Sequence, residues 1–177
     1  PKERNQASML LLEGTHLLQE ALKACCLPSE IVATPKWLEE HEEIFQEISQ
    51  GVQIHMVTKS VPEGSLSTVT PDGVASLLPF SALPKKNEES TFILALDRLQ
   101  DPGNVGTLFR TALAADVEVL WLALGADPLS QKALRASAGA VLRLPYERSV
   151  SSEKLAVREL VEKLKRVALV GHQVVST

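Results

Sequence analysis

The chain has 177 residues, 45% of them apolar, 23% charged and 4% aromatic, a balance that suits a buried core and excludes collagen-like, mucin-like and disordered chains. No apolar run approaches the roughly 18 residues a membrane helix needs, and Pro1 to Gln6 lacks a signal-peptide apolar region, so a soluble, cytoplasmic protein with no membrane contact is expected. Cys25 and Cys26 are adjacent, poor geometry for a disulfide, and read as buried small hydrophobes; His16, His41, His55 and His172 are scattered, so no metal site is expected. The first residue is proline instead of methionine and the last stretch, Val167 to Thr177, resembles a strand with nothing after it. A segment of something longer is expected.

Charge divides the chain. Residues 1 to 90 hold 7 Lys+Arg against 13 Asp+Glu, whereas residues 91 to 177 hold 11 against 9 and carry seven of the eight arginines. Between the halves, Pro79 to Ser90 has the prolines and charged residues of an exposed connector. The expected division is residues 1–80, a connector over 81–91, and residues 92–177.

In the first part, Ser8 to Leu12 reads as a strand, and Leu17, Leu18, Ala21, Leu22 and Cys25 recur at helical spacing. Ile31 to Ala33 is a second short strand. Trp37, Leu38, His41, Ile44, Phe45 and Ile48 predict one face of a helix whose glutamates, Glu39, Glu40, Glu42, Glu43 and Glu47, face solvent. Val52 to Val57 and, after the turn Pro71-Asp72-Gly73, Val74 to Leu78 complete a small αβ domain.

The second part opens with Phe92 to Leu96, an apolar run of the kind covered on both faces of a parallel sheet. A turn, a helix over Val105 to Ala115 and a second apolar run, Val117 to Leu124, make a βαβ unit. Ser130 to Ala138 reads as helix, Ala140 to Leu144 as strand, Ser152 to Lys165 as amphipathic helix, and Val167 to Val170 as a further strand, which together imply an open α/β sheet.

Ligands of open α/β sheets bind beyond the carboxyl ends of strands, so the turn after Leu96 is the first candidate site. It holds Asp97, Arg98, Asp101, Gly103, Asn104, Gly106 and Arg110, with neither a G-x-G-x-x-G nor a Walker pattern; a KH clamp is discounted because a strand precedes the G-x-x-G. Asn104 stands where a helix should begin and reads as an N-cap. Arg110 shares a helical face with Gly106 and could reach back toward an anion, or pair with Asp97 or Asp101. In Arg135 to Pro145, small residues suggest close packing at Ser137 and Gly139 with Arg135 and Arg143 at the surface.

Leu96 to Ala112 (L-D-R-L-Q-D-P-G-N-V-G-T-L-F-R-T-A) followed by Asp127 to Pro145 (D-P-L-S-Q-K-A-L-R-A-S-A-G-A-V-L-R-L-P) resembles SpoU-type RNA ribose methyltransferases of the SPOUT class. Leu10 to Ala24 looks like the opening of the ribosomal-protein-like substrate-binding domain that precedes the catalytic domain in many members; Glu13 and the His16 region match that opening, with folding roles only.

The resemblance implies a knotted α/β domain acting as a homodimer, with S-adenosyl-L-methionine as methyl donor and the 2′-hydroxyl of RNA, ribosomal RNA before transfer RNA, as acceptor. It makes Asn104 and Arg110 the catalytic pair; Arg110, Arg135 and Arg143 are the expected RNA-binding residues. A guanidinium, with a pKa above about 12, does not serve as base, so Arg110 is expected to hold phosphate and oxyanion charge while Asn104 orients the hydroxyl. The family's glycine-glutamate-glycine turn and serine-leucine-asparagine segment do not occur before Thr177. The SPOUT domain is therefore expected to be incomplete, with its cofactor-binding residues unassigned. Asp116 also stands where the family has glycine. The competing expectations are a non-catalytic RNA-binding or ribosome-assembly protein and an α/β protein whose motif match is structural only.

Overall fold

A computed structural model describes residues 2–48, 51–58, 72–86, 90–149 and 153–169. The chain divides between Leu83 and Pro84 into two compact units.

The first unit runs α1 (Lys2–Ala7), β1 (Met9–Glu13), α2 (Thr15–Lys23), β2 (Glu30–Ala33), α3 (Pro35–Glu40), α4 (Glu42–Ile48), β3 (Gln53–Met56) and β4 (Val74–Pro79). Its sheet has the order β1-β4-β2-β3, with β4 antiparallel to both neighbours (Leu10 opposite Leu78, Ile31 opposite Ser76) and β2 parallel to β3. Apolar residues at helical spacing on α2 meet the strand residues that point the same way. Leu18, Leu22, Ile31, Trp37, Ile48 and Val74 form the buried core.

The single helix expected from Trp37 to Ile48 is two helices. His41 has left helical geometry (φ −130°, ψ 42°). Its ring stacks on Trp37 with centroids 4.6 Å apart, and its Nδ1–H donates to the Trp37 carbonyl at 3.0 Å. That carbonyl is the acceptor the His41 amide would need to continue the helix, so the side chain ends α3 and α4 restarts after it. Cys25 also departs from expectation. It is exposed where the chain reverses after α2 with φ 56°, and only Cys26 is buried.

The second unit runs β5 (Ile93–Asp97), α5 (Pro102–Ala114), β6 (Val119–Ala123), α6 (Gln131–Ser137), a 3₁₀ turn (Ala140–Leu142), β7 (Tyr146–Ser149) and α7 (Glu153–Leu169). The order β5-β6-β7 is parallel throughout, with Ile93 opposite Val119 and Leu122 opposite Arg148. Every residue of the central β6 is buried, while β5, at the edge, is half-buried. Phe109 is enclosed and meets the Tyr146 ring edge-on at 5.5 Å.

Ala140 to Leu144 is not the expected strand. Two consecutive left-handed residues, Ala138 (φ 47°) and Gly139 (φ 83°), end α6, and the apolar run that follows coils into the 3₁₀ turn with its side chains buried. The strand is the polar Tyr146–Ser149 beyond Pro145, since a short apolar run does not by itself separate strand from buried turn. Val167 to Leu169 continue α7 instead of forming a strand. Pro71, residues 87–89, Ser152 and Val170 onward, on which other expectations fell, lie outside the described residues. Asp116 adopts φ 57°, a left-handed exit from α5 that aspartate tolerates better than most residues other than glycine.

Candidate functional site

All three strands of the second sheet end at one edge, and the loops there are bonded to each other. The Arg98 amide donates to the Ala123 carbonyl at 2.8 Å and the Ala126 amide to the Leu99 carbonyl at 2.7 Å. Arg148, at the end of β7, donates through Nη2 to the Gly125 carbonyl at 2.8 Å. The loop after β5 then turns into α5, and this helix start carries the motif residues.

The cap of α5 is Asp101, not Asn104. Asp101 has extended geometry and its Oδ1 accepts the Asn104 amide at 2.8 Å, with Pro102 at the first helical position where no amide is needed. Its Oδ2 accepts from Lys132 Nζ of α6 at 2.6 Å. The Lys132 bond, then the Asn104 amide, hold the Asp101 carboxyl below the usual carboxylate range. With the capping role taken, the Asn104 side chain is exposed and its amide has no partner among the described residues.

Arg110 pairs with neither Asp97 nor Asp101. Asp97 is taken by Arg98 at 3.0 Å and Asp101 by Lys132, which leaves the exposed Arg110 guanidinium without a partner among the described residues. Six residues of helix separate Asn104 and Arg110, about 9 Å along the axis and about 120° around it. Arg110 thus lies on the Gly103–Gly106 side of α5, with Asn104 one flank away on the same exposed helix start.

That side is shaped by Gly106. A Cβ there would stand 2.4 Å from the Ala133 carbonyl oxygen, 2.7 Å from Ala136 Cβ and 2.8 Å from the Ser137 amide, so α6 touches the bare backbone of α5. Ser137 is fully buried, its hydroxyl donating to Leu134 at 2.8 Å, a packing role. Arg135, in the last turn of α6, and Arg143, after the 3₁₀ turn, are exposed.

Lys132 and Arg148 were not among the predicted site residues, and Asp101 was placed in the candidate turn but not as its cap. The Asp-Pro pair is a helix-start signature that could have found Asp101, whereas Lys132 and Arg148 reach the edge through tertiary structure alone. An open pocket of about 390 Å³ is lined by Arg158, Glu159, Glu162, Lys163 and Arg166 of α7 and by none of the motif residues. The described residues at the strand ends present loop backbone tied by these cross-bonds, and no cofactor contact is assigned to them. Among the described residues, no group of three or more His, Cys, Asp or Glu could hold a metal ion, and no helix is long and apolar enough to cross a membrane.

Residues 91–175 match the SpoU rRNA methylase family, and residues 1–76 match the MRM3-like substrate-binding domain. An uncharacterized tRNA/rRNA methyltransferase of Synechocystis sp. is 38% identical over 96% of this chain and 63% of its own length. The 23S rRNA (guanosine(2553)-2′-O)-methyltransferase of Bacillus subtilis is 32% identical over 83% of this chain and 57% of its own length. A crystal structure of an AdoMet-bound rRNA methyltransferase from Sinorhizobium meliloti superposes with a TM-score of 0.68 at 25% identity, covering 89% of this chain and 60% of that one. The chain therefore spans about three-fifths of the length of these relatives.

Proposed function

We propose that this chain, which belongs to the SpoU rRNA methylase family through residues 91–175 and carries an MRM3-like substrate-binding domain over residues 1–76, serves methyl transfer from S-adenosyl-L-methionine to a ribose 2′-hydroxyl of ribosomal RNA. The observation that carries this reading is the pair Asn104 and Arg110. Both are exposed on one helix at the loop end of a parallel sheet, and both keep their side-chain donors unspent among the described residues.

In this reading Arg110 binds the phosphate next to the target ribose and stabilises charge developing on the 2′-oxygen, while Asn104 hydrogen-bonds the hydroxyl and fixes its direction. Such preorganised donors commonly contribute about 3 kcal/mol each to a barrier. Arg135 and Arg143 add phosphate contacts. Residues 1–80 hold the RNA, residues 81–91 connect, and residues 92–177 belong to the catalytic part. Homodimerisation and action in the cytoplasm belong to the same reading, supported by the likeness to SpoU methyltransferases; light scattering tests the first and fractionation the second.

The deciding experiment incubates the protein with S-adenosyl-L-[methyl-³H]methionine and ribosomal RNA and then digests the RNA. Label in a 2′-O-methylnucleoside, recovered as an alkali-stable dinucleotide and reduced by Arg110→Lys, is the expected result. Label in a base contradicts the reaction, and RNA binding without label supports a non-catalytic RNA-binding or ribosome-assembly role.

A further inference from the structure

We infer that Lys132 serves RNA recognition by cancelling the charge of Asp101 beside Asn104, and not by touching RNA itself. The inference rests on the RNA reading above. The Asp101 carboxylate is bonded to the Asn104 backbone N–H, so it lies beside the residue whose exposed side chain a polyanion would reach. The carboxylate is held in place there, because Oδ1 accepts the Asn104 backbone N–H at 2.8 Å as the cap of α5. Its other oxygen receives Lys132 Nζ at 2.6 Å.

The path of Lys132 is prepared by sequence. A Cβ at Gly103 would stand 3.3 Å from Lys132 Cε and 2.8 Å from Asp101 Oδ1, so glycine clears the space in which the ion pair forms. The neighbouring cation is not a substitute, since Arg98 is engaged with Asp97. Two like unit charges about 4 Å apart in water change affinity about five-fold, and salt screens the effect as the Debye length falls to about 3 Å at 1 M. The position of Lys132 on the second residue of α6 therefore makes the approach to Asn104 electrically neutral.

A double-mutant cycle separates this role from a direct contact. Wild type, Lys132→Met, Asp101→Asn and the double variant are compared for binding of a short single-stranded ribosomal RNA fragment by fluorescence anisotropy at about 50 mM salt. Asparagine caps a helix as well as aspartate, so Asp101→Asn removes charge and keeps the cap. Lys132→Met is expected to weaken binding about five-fold, with Asp101→Asn restoring it in the double variant. No effect of Lys132→Met, or a double variant as weak as Lys132→Met, overturns the inference. Absence of RNA binding by wild type overturns the RNA reading and the inference together, whereas normal wild-type binding with a failed cycle overturns the inference alone. A carboxyl ¹³C titration without RNA adds an independent check: the Asp101 signal should titrate at higher pH in Lys132→Met than in wild type, and an unmoved titration contradicts the pairing.

Discussion

Gly106→Ala sets two effects of opposite sign against each other. Alanine is the better helix former by about 1 kcal/mol, so propensity alone predicts a more stable protein. The packing predicts the reverse. The new methyl would lie 2.7 Å from Ala136 Cβ, about 0.8 Å inside the optimal carbon separation of ~3.5 Å, and 2.4 Å from the Ala133 oxygen, which is backbone and cannot rotate away. Relief requires α5 and α6 to part, loosening the enclosed Val105 and Phe109 behind them. Overpacking of this kind costs about 1 to 3 kcal/mol, and contact with backbone on a rigid helix places it at or above the upper end, so a net loss of about 2 kcal/mol remains after the propensity gain. For a unit of this size that is about a 10 °C fall in melting temperature. Thermal unfolding followed by Trp121 fluorescence in a Trp37→Phe background reads the second unit alone, because the sequence has two tryptophans. A melting temperature equal to or above that of the parent would show that α6 yields freely and that the glycine is not there for close approach.

Arg110→Ala should leave the melting temperature unchanged, since the side chain is exposed and unpaired among the described residues, and should lower the slope of log affinity for RNA against log salt by about 0.7 to 0.9; an unchanged slope refutes a phosphate contact. At Glu147, burial would push the carboxyl up, but bonds from Lys163 and Lys86 outweigh it and hold the group below its ordinary 4.5. A carboxyl depressed by folding contributes stability that is complete above 4.5 and is lost as pH falls through the lower folded value. The melting temperature of Glu147→Gln should therefore fall less steeply than wild type below that pH, and parallel curves would contradict the pairing.

How much the sequence revealed depended on what each element rests on. The β5–α5–β6 unit was legible because its apolar runs are separated by an Asp-Pro-Gly turn, local signals that agree with the final packing. The break at His41 was not, because it follows from a ring stacking on Trp37 and taking its carbonyl, contacts that periodicity does not encode. Strand β7 was displaced because Tyr146–Ser149 is polar, while the apolar Ala140–Leu142 is drawn into the core as a turn. At the site, Asn104 and Arg110 were singled out in the turn and given catalytic roles through motif resemblance; the Asp101 cap was legible in its Asp-Pro pair, but its partner Lys132 is set by α5 lying against α6.

In the proposed reading, RNA meets this chain at the loop end of the parallel sheet, around Asn104 and Arg110. Ultraviolet cross-linking of a 4-thiouridine-labelled ribosomal RNA fragment, followed by mass spectrometry of the peptides, tests it most directly. The account predicts cross-links within the α5 start, from Asp101 to Arg110, that are lost on Arg110→Ala. Cross-links confined to other surfaces, or undiminished by that substitution, would contradict it.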